Sequence, residues 1–390
     1  MNHPKSGVAK DAMQESRGDY QVYGVRGDPS SIGLQMAEHH RGPDGPRLAE
    51  LSDQQVQFGR LCAREVERVY SPILQELKAW ASACNLPLDE ALFYLSVGMT
   101  ETSRRGRSRP NRSQAESAAG PDHVAPEGPG KDPGSDCGET RTLAERNCST
   151  VGVMTKDGPV IGRNFDLDFR VKVRHLIRTE TEDHLSHTGM YDGLVSGRTD
   201  GMNDAGLFAS LHTVRSRPPE KRKPGFFCVH LVRMVLETCK TAKEAAERLL
   251  SVPHIAPFNY FLADRNEFLV VEAHPVRARV RLPENGVLAC TNHFVHPEMS
   301  DLLYTVPANS AARLHFLKQG VLPLAFWASQ EQAAATIASL MADHTVPVCW
   351  HAEVMSTLWS AIAGTATGYL RYALGAPCRT NFSTLEEASK

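Results

Sequence analysis

The sequence predicts an α+β protein in which antiparallel β-sheets are stacked and covered by helices, with a helical segment in front of them. Short runs rich in β-branched and aromatic residues, separated by turn residues, recur between residues 150 and 291. Helical patterns are grouped between these runs instead of alternating with them, which favours antiparallel sheets over a parallel βαβ sheet. A stretch with few apolar residues separates this region from an earlier one with helical spacing.

The chain before residue 100 is predicted to be mainly helical. The residues from Gly27 to Ser31 form a turn and a helix start. Apolar residues recur at helical spacing from Leu48 to Ala83, and a further helix is predicted from Leu88 to Met99. We therefore predict a helical segment over residues 20–100, preceded by a disordered N-terminus at residues 1–19.

Residues 101–147 have the composition of a flexible linker. From Glu101 to Thr140, 16 of the 40 residues are Gly, Pro or Ser, and Leu, Ile, Phe, Met, Trp and Tyr do not occur. Such a segment buries too little apolar surface to offset the entropy lost on ordering. Its first part is rich in arginine, but no aromatic residue lies between the arginines for base stacking. We therefore predict a solvated linker and no nucleic-acid partner.

The region from residue 148 to residue 390 is predicted to form the sheets and their covering helices. The predicted strands are 150–154, 160–162, 175–181, 206–214, 258–263, 268–272, 278–282 and 287–291. The predicted helices are 226–239, 241–251, 308–318 and 329–343.

Composition excludes several classes of protein. With 43 Lys+Arg against 45 Asp+Glu, the chain has no overall basic field that would attract nucleic acid. The residues from Met1 to Gly7 lack a secretory apolar core, and no apolar run approaches the length of a membrane span. The nine cysteines, an odd number, do not form a disulfide framework. We expect a cytoplasmic protein without a membrane partner.

Cys148 is unusually placed, because a predicted strand begins immediately after it and the linker ends immediately before it. If the chain is cleaved between Asn147 and Cys148, Cys148 carries both a thiol and an α-amine. The ordinary pKa of an α-amine, about 7.7–8.0, suits a general base near neutral pH. Nucleophile and base then share one residue. The alternative is a buried cysteine that only packs.

A predicted hairpin brings two charged residues toward Cys148. Asp157-Gly158 forms a tight turn, and the strand after it contains Arg163 and Asp166. An arginine beside the thiol favours the thiolate, and a carboxylate beside the amine orients it by a charge-assisted hydrogen bond. A surface ion pair and a papain-like Cys–His pair are the alternatives.

Metal and phosphate signatures do not occur. The sequence lacks His-Glu-x-x-His, Cys-x-x-Cys pairs and a glycine-rich phosphate loop. His293 and His296 are separated by two residues, and we expect His293 to shape the site instead of binding zinc. Asp264 and Glu272 suggest paired acids, but they occupy ordinary polar positions of a predicted hairpin. We predict no metal site and no cofactor.

Several motifs occur in a single order along the chain. They are Cys148-Ser149-Thr150, then Asp157-Gly158 with Gly162-Arg163-Asn164-Phe165-Asp166, then residues 200–207, 258–264 with 270–272, Thr291-Asn292-His293-Phe294 and Ala312-Arg313-Leu314. Together they resemble the N-terminal-nucleophile (Ntn) hydrolases of the penicillin acyltransferase type (isopenicillin N or acyl-CoA:6-aminopenicillanic acid acyltransferases), which are related to choloylglycine hydrolases and penicillin V acylases. Residues 27–33 and 85–90 resemble the helical pro-segment of that branch.

The resemblance implies a four-layer αββα sandwich of antiparallel sheets at residues 148–390, with residues 20–100 as a pro-segment. It implies self-cleavage before Cys148, and then hydrolysis or acyl transfer at a linear, non-peptide C–N amide bond through an acyl-enzyme. The implied site residues are Cys148 as nucleophile, Arg163 beside its thiol, Asp166 holding its amine, Asn292 as oxyanion donor and Arg313 as support.

The chain departs from the family pattern at two places. Where the family has Asn or Tyr as a second oxyanion residue, this chain reads Leu211-His212-Thr213. We predict His212 for this role, with Asn203 and His293 as further candidates for oxyanion or substrate contacts. Asn147 stands where several members have Gly.

The expected substrate is a small-molecule amide or thioester, with acyl-CoA as a candidate co-substrate and no other cofactor. One alternative is an N-acyl amino acid or dipeptide-like hydrolase that uses the same site. Another is a catalytically silent family member that acts as a binding protein. A homo-oligomer and a processed heterodimer are both compatible with the sequence.

Overall fold

The computed structural model describes residues 19–39, 51–93, 147–168, 173–351 and 355–389. Residues 1–18 of the predicted disordered N-terminus, nearly all of the predicted linker and the end of the predicted helix Leu88–Met99 lie outside these residues, whereas Asp19 begins a strand. The strands are β1 Asp19–Gly27, β2 Ser149–Thr155, β3 Gly158–Asp168, β4 Val173–Thr181, β5 His187–Tyr191, β6 Asp200–Asn203, β7 Phe208–Thr213, β8 Phe258–Ala263, β9 Phe268–Ala273, β10 Ala278–Arg281, β11 Val287–Cys290, β12 Met355–Gly364 and β13 Tyr369–Ala373. The α-helices are α1 Pro29–Glu38, α2 Asp53–Tyr70, α3 Pro72–Ala83, α4 Leu88–Phe93, α5 Cys228–Thr238, α6 Ala242–Leu250, α7 Ala308–Val321, α8 Gln330–Met341 and α9 Leu385–Ala388.

The strands form two sheets. The larger has the order β1-β4-β5-β6-β7-β8-β9-β10, and the smaller has the order β11-β2-β3-β12-β13. Neighbouring strands are antiparallel except for β1 and β4, which are parallel. Helices α5 and α6 contact the larger sheet, and α7 and α8 contact the smaller one. The predicted four-layer αββα arrangement is therefore confirmed.

Apolar side chains from both sheets fill the space between them. Ile161 and Ala363 of the smaller sheet belong to one buried cluster with Phe208, Phe261 and Val270 of the larger sheet. A second buried cluster joins the other face of the smaller sheet to α7 and α8. Each sheet thus buries both faces, which explains why β3, β8 and β12 are buried along nearly their whole length.

The region predicted to be a helical pro-segment begins with a strand, which the sequence analysis did not predict. Strand β1 pairs with β4 from Asp19↔Val173 to Gly27↔Thr181 and extends the larger sheet. Four helices follow, and their buried side chains join the same hydrophobic cluster as those of α5. This region is therefore mainly helical as predicted, but its first element is an edge strand of the larger sheet.

A buried ionic network links the pro-segment to α5. Glu76 of α3 accepts a hydrogen bond from Arg233 of α5 at 3.1 Å, and Arg233 also donates to Glu237. Tyr70 donates from its hydroxyl to the same Glu237. All four side chains are buried. Removing one partner of such a network leaves an uncompensated buried charge, so residues 53–83 are firmly coupled to α5.

Gly33 permits the close approach of α1 to α3. A Cβ at this position would lie 2.2 Å from the backbone oxygen of Glu76. Gly33→Ala should therefore force the helices apart and lower the free energy of unfolding by about 1–3 kcal/mol. Gly24→Ala is the matched control, because its Cβ would meet its nearest neighbour, the Arg178 oxygen, at 3.8 Å. Urea denaturation measures both, and equal effects would contradict the packing argument.

Within the described part of the chain, no helix is both long and apolar enough to span a bilayer.

Candidate active site

Cys148 lies directly before β2, at the end of the central hairpin of the smaller sheet. Strand β2 pairs with β3 from Ser149↔Asn164 to Thr155↔Gly158, so Cys148 lies beside the part of β3 that carries Arg163 and Asp166. All three side chains are buried. The hairpin turn falls at Lys156-Asp157, one residue before the predicted Asp157-Gly158, and Gly158, which begins β3, has a φ of +103°. The structure therefore brings together the first three predicted site residues.

Arg163 is held by Asp200, which the sequence analysis did not single out. The Arg163 Nε donates to Asp200 Oδ2 at 2.8 Å, and both side chains are fully buried. Asp200 also accepts from Trp359 Nε1 at 3.0 Å and from the Tyr372 hydroxyl at 2.9 Å. Although burial disfavours the charge, the pKa of Arg163 is raised because Asp200 and then Cys148 interact electrostatically with the guanidinium. A permanent positive charge therefore lies near the thiol.

Arg313 approaches the Asn147–Cys148 segment from helix α7. Its Nη1 lies 2.7 Å from the Asn147 carbonyl oxygen, 2.9 Å from that of Cys148 and 2.6 Å from Ser149 Oγ. Burial lowers the pKa of Arg313, while Asp166 and Cys148 oppose that effect electrostatically. The second guanidinium thus contacts the backbone at the predicted cleavage point.

Asn292 is oriented on both sides of its amide. Arg313 Nη2 donates to Asn292 Oδ1 at 3.0 Å, and one N–H of Asn292 Nδ2 donates to the Thr213 carbonyl at 3.0 Å. Its backbone N–H donates to Ser310 Oγ at 2.8 Å, and His293 Nδ1 lies 2.8 Å from that same oxygen. Burial, followed by two arginines, lowers the pKa of His293 to about 4, so its ring is neutral.

Asp166 receives one strong hydrogen bond from the neighbouring strand. Thr357 of β12 pairs with Asp166 across the sheet and donates its hydroxyl to Oδ1 at 2.7 Å. The other carboxylate oxygen, Oδ2, is buried without a hydrogen-bond partner among the described residues. Burial raises the pKa of Asp166 to about 7, against the lowering effects of Arg313 and Thr357. Oδ2 is therefore an acceptor that a nearby cation would satisfy.

His212, which is on β7, lies beside Arg163 of β3. Its Nε2 is 2.8 Å from Thr150 Oγ1 and 3.3 Å from Arg163 Nη1. Burial, and then the charge of Arg163, hold the pKa of His212 well below its usual range. Because a guanidinium can only donate, Nε2 of the neutral ring acts as an acceptor toward it.

Asn203 has a different set of partners at the far end of β6. Its Nδ2 donates to the carbonyls of Leu236 and Cys239, each at 2.8 Å, and so binds the end of helix α5. Its Oδ1 accepts from the backbone N–H groups of Ala205 and Leu207 in the turn before β7. All these contacts belong to a turn and a helix end, and the structure does not place Asn203 with the residues around Cys148.

The raised pKa of Asp166 predicts a pH effect on stability. An unfolded Asp titrates at about 3.9, whereas the folded value is about 7. The contribution of Asp166 is therefore complete below about pH 3.9 and is lost as the pH rises through about 7.

We expect Asp166→Asn to flatten the fall in unfolding free energy between about pH 4 and 7. Urea denaturation of the uncleaved Cys148→Ala chain measures it. The exposed Asp53→Asn should leave the slope unchanged, and an unchanged slope in Asp166→Asn would refute the assignment.

Comparison with known proteins adds the following findings. A family model for acyl-coenzyme A:6-aminopenicillanic acid acyl-transferase matches residues 153–379, more than half of the chain. Among solved structures, penicillin V acylase from Agrobacterium tumefaciens is 17% identical, with 60% of this chain and 84% of that chain covered and a TM-score of 0.45. The Caenorhabditis elegans ortholog of N-acylethanolamine-hydrolyzing acid amidase is 16% identical, with 56% and 93% covered and a TM-score of 0.42.

Conjugated bile acid hydrolase from Clostridium perfringens is 14% identical, with 58% of this chain and 89% of that chain covered and a TM-score of 0.40. A comparison with curated protein sequences finds no significant match. The family predicted from the ordered motifs is confirmed by the match over residues 153–379. The chain belongs to the acyl-coenzyme A:6-aminopenicillanic acid acyl-transferase family of Ntn-type enzymes.

Proposed function

We propose that this protein is a cysteine-dependent amidohydrolase or acyltransferase that acts on linear, non-peptide C–N amide bonds through an acyl-enzyme on Cys148. The observation that carries this proposal is the convergence of two buried guanidiniums, Arg163 and Arg313, on the segment that contains Cys148. Positive charge beside a thiol favours the thiolate, the reactive form of cysteine.

The first step would be cleavage of the chain itself. The Cys148 thiol adds to the Asn147 carbonyl carbon, and the Cys148 nitrogen leaves with a proton to give a thioester. Water then hydrolyses the thioester, which releases the Asn147 carboxylate and restores a Cys148 thiol with an α-amine. Arg313 already donates to the Asn147 oxygen, which carries the negative charge of the tetrahedral intermediate. One such donor typically contributes about 3–4 kcal/mol to a transition state.

The new α-amine would then serve as the general base. Protonated, it supplies the cation that the buried Oδ2 of Asp166 lacks; neutral, it removes the proton of the thiol. The thiolate attacks the substrate carbonyl, and the second N–H of the Asn292 amide donates to the oxyanion. The leaving amine takes the proton, and water or another amine accepts the acyl group from the thioester. Acyl-CoA is a candidate acyl donor in the transfer direction.

After cleavage the two pieces would stay together as a heterodimer. The pro-segment supplies a strand of the larger sheet and the buried polar side chains Glu76 and Tyr70 opposite α5. Separation would expose this network and the apolar residues beside it, including Met36 and Leu77. The boundaries of pro-segment, linker and catalytic domain at residues 100 and 147 are part of the same proposal.

Two other functions use the same geometry. An N-acyl amino acid or dipeptide-like hydrolase would keep the site and differ only in the substrate. A silent family member would bind a ligand without turnover. His212 is relevant to this second case, because its Nε2 faces Arg163 as an acceptor where the family has an Asn or Tyr donor.

Intact-mass analysis and N-terminal sequencing of the purified full chain test the proposal. We expect a fragment that begins at Cys148 and co-elutes with the N-terminal piece in size-exclusion chromatography. A panel of aliphatic and aromatic amides, assayed with and without acyl-CoA, then separates hydrolase from acyltransferase. An uncleaved chain that turns over amides would refute the α-amine mechanism. A cleaved chain whose Cys148 resists a thiol-reactive acyl probe would favour the silent member.

A further inference from the structure

Four side chains with metal-binding atoms converge outside the site described above. His344, Cys349, His351 and Cys378 each offer one ligand atom, and these four atoms all lie within 4.8 Å of one another. The Cys349 and Cys378 sulfurs are 3.6 Å apart. His351 Nε2 lies 3.4 Å from the first sulfur and 3.2 Å from the second.

The separations among the two sulfurs and His351 Nε2 match a tetrahedral zinc site. With Zn–S near 2.3 Å and Zn–N near 2.0–2.1 Å, tetrahedral angles place two sulfurs about 3.8 Å apart and a sulfur about 3.5 Å from a nitrogen. The sulfur–sulfur distance of 3.6 Å is far beyond the roughly 2.05 Å of a disulfide bond. Two sulfurs and two imidazole nitrogens in this arrangement are typical of zinc ligands.

We propose that His344, Cys349, His351 and Cys378 form a Cys2His2 site that binds one zinc ion. The sequence analysis predicted no metal, because the ligands follow no familiar spacing. Three lie in the connection between α8 and β12, and the fourth follows β13 in the last part of the chain. The ion would join two segments that are adjacent in space, although the β12–β13 hairpin separates them along the sequence.

The connection that carries three ligands is already shaped by hydrogen bonds. The carboxylate of Asp343 accepts from the N–H groups of Thr345 and Val346, and the Asp343 backbone oxygen accepts from the Cys349 N–H at 2.9 Å. Burial, reinforced by the neighbouring Cys378 thiol, raises the pKa of Cys349. A bound metal ion would provide the positive charge that two thiolates need.

The same connection supports the candidate active site. Asn164 Nδ2 of β3 donates to the Met341 and Val348 carbonyls at 2.8 and 2.9 Å. The Trp350 N–H, between two of the ligands, donates to Thr357 Oγ1 at 2.8 Å, and that hydroxyl donates to Asp166. A zinc ion here would fix the connection that positions Thr357. We assign it a structural role, since four protein ligands leave no open position for substrate or water.

Metal analysis of the full chain tests the proposal directly. We expect about one zinc ion per chain by inductively coupled plasma mass spectrometry, and cobalt substitution should give the absorption bands of tetrahedral thiolate-bound Co²⁺. Loss of a hydrogen-bond partner of a ligand already weakens metal binding about 10- to 100-fold, so Cys378→Ser should weaken zinc binding by at least about 100-fold in competition with a chelator. Cys84→Ser, a partly buried cysteine outside the cluster, should bind zinc as the wild type does.

A second variant keeps the proposal testable if Cys378→Ser does not fold. His344 is exposed, so His344→Ala should fold and should shift the cobalt spectrum while retaining the two sulfur ligands. A chain that takes up neither zinc nor cobalt would overturn the proposal. So would a native peptide map in which Cys349 and Cys378 are joined by a disulfide, because the pair would then be a redox site instead.

Discussion

Replacing Cys148 by alanine is expected to leave the chain uncleaved and inactive. The thiol is the group that adds to the Asn147 carbonyl and later to the substrate carbonyl, and alanine has no nucleophilic atom. The surrounding guanidiniums would remain in place, because Asp200 holds Arg163 and the backbone oxygens of Asn147 and Cys148 hold Arg313. Intact mass measures cleavage, and the amide that the wild type hydrolyses fastest measures turnover.

Two further variants distinguish the role of Cys148 as a nucleophile from its role in packing. Cys228→Ala removes another buried thiol, on α5 and outside the site, and should retain cleavage and turnover. Cys148→Ser keeps a weaker nucleophile, so we expect some cleavage and loss of most turnover. A fragment beginning at residue 148 in the Cys148→Ala protein, or turnover by that variant, would show that another group does the chemistry.

Local sequence patterns were enough to predict most of the individual strands and helices after residue 148. Strands β8 and β9 occur within one residue of their predicted bounds, and α6 begins at the predicted capping box of Thr241 and Glu244. These elements are marked by residues that act locally: turn formers, β-branched runs and caps. Such signals need no knowledge of the rest of the chain.

Strand β12 shows where local patterns fail. Its sequence from Met355 to Gly364 is rich in Ala, Ser and single large apolar residues, and all ten positions are buried. A fully buried strand has no alternation of polar and apolar residues, so its pattern does not differ from that of a buried helix. Thr357, a residue of this strand that donates to Asp166, was missed for the same reason.

The supporting residues of the site are visible only in three dimensions. Asp200 was part of a motif, yet its role depends on Arg163, Trp359 and Tyr372, which come from distant parts of the chain. The ligand cluster around Cys349 is similar, because Cys378 lies beyond a whole hairpin. By contrast, Arg163 and Asp166 were predictable because a single hairpin sets their distance from Cys148.

Removing the Asp200 carboxylate should cause the largest loss of stability of any single change considered. In Asp200→Ala the fully buried Arg163 guanidinium loses its counterion, and the Trp359 N–H and Tyr372 hydroxyl lose their acceptor. Breaking a buried ion pair by removing one partner costs about 3–5 kcal/mol, because a charge is left buried without compensation. We expect a loss of this size in urea denaturation of the uncleaved Cys148→Ala chain, where cleavage cannot complicate unfolding.

A second Asp–Arg pair four residues away provides the control. Asp204 and Arg178 form two hydrogen bonds at 2.7 and 2.8 Å, but their side chains are 54% and 27% exposed. In the variant Asp204→Ala, water solvates the remaining Arg178 guanidinium, so the expected loss is about 0–1 kcal/mol. The two variants remove the same chemical group and differ in burial. Equal losses would mean that Arg163 finds another partner, and the fixed positive charge beside Cys148 would then not depend on Asp200.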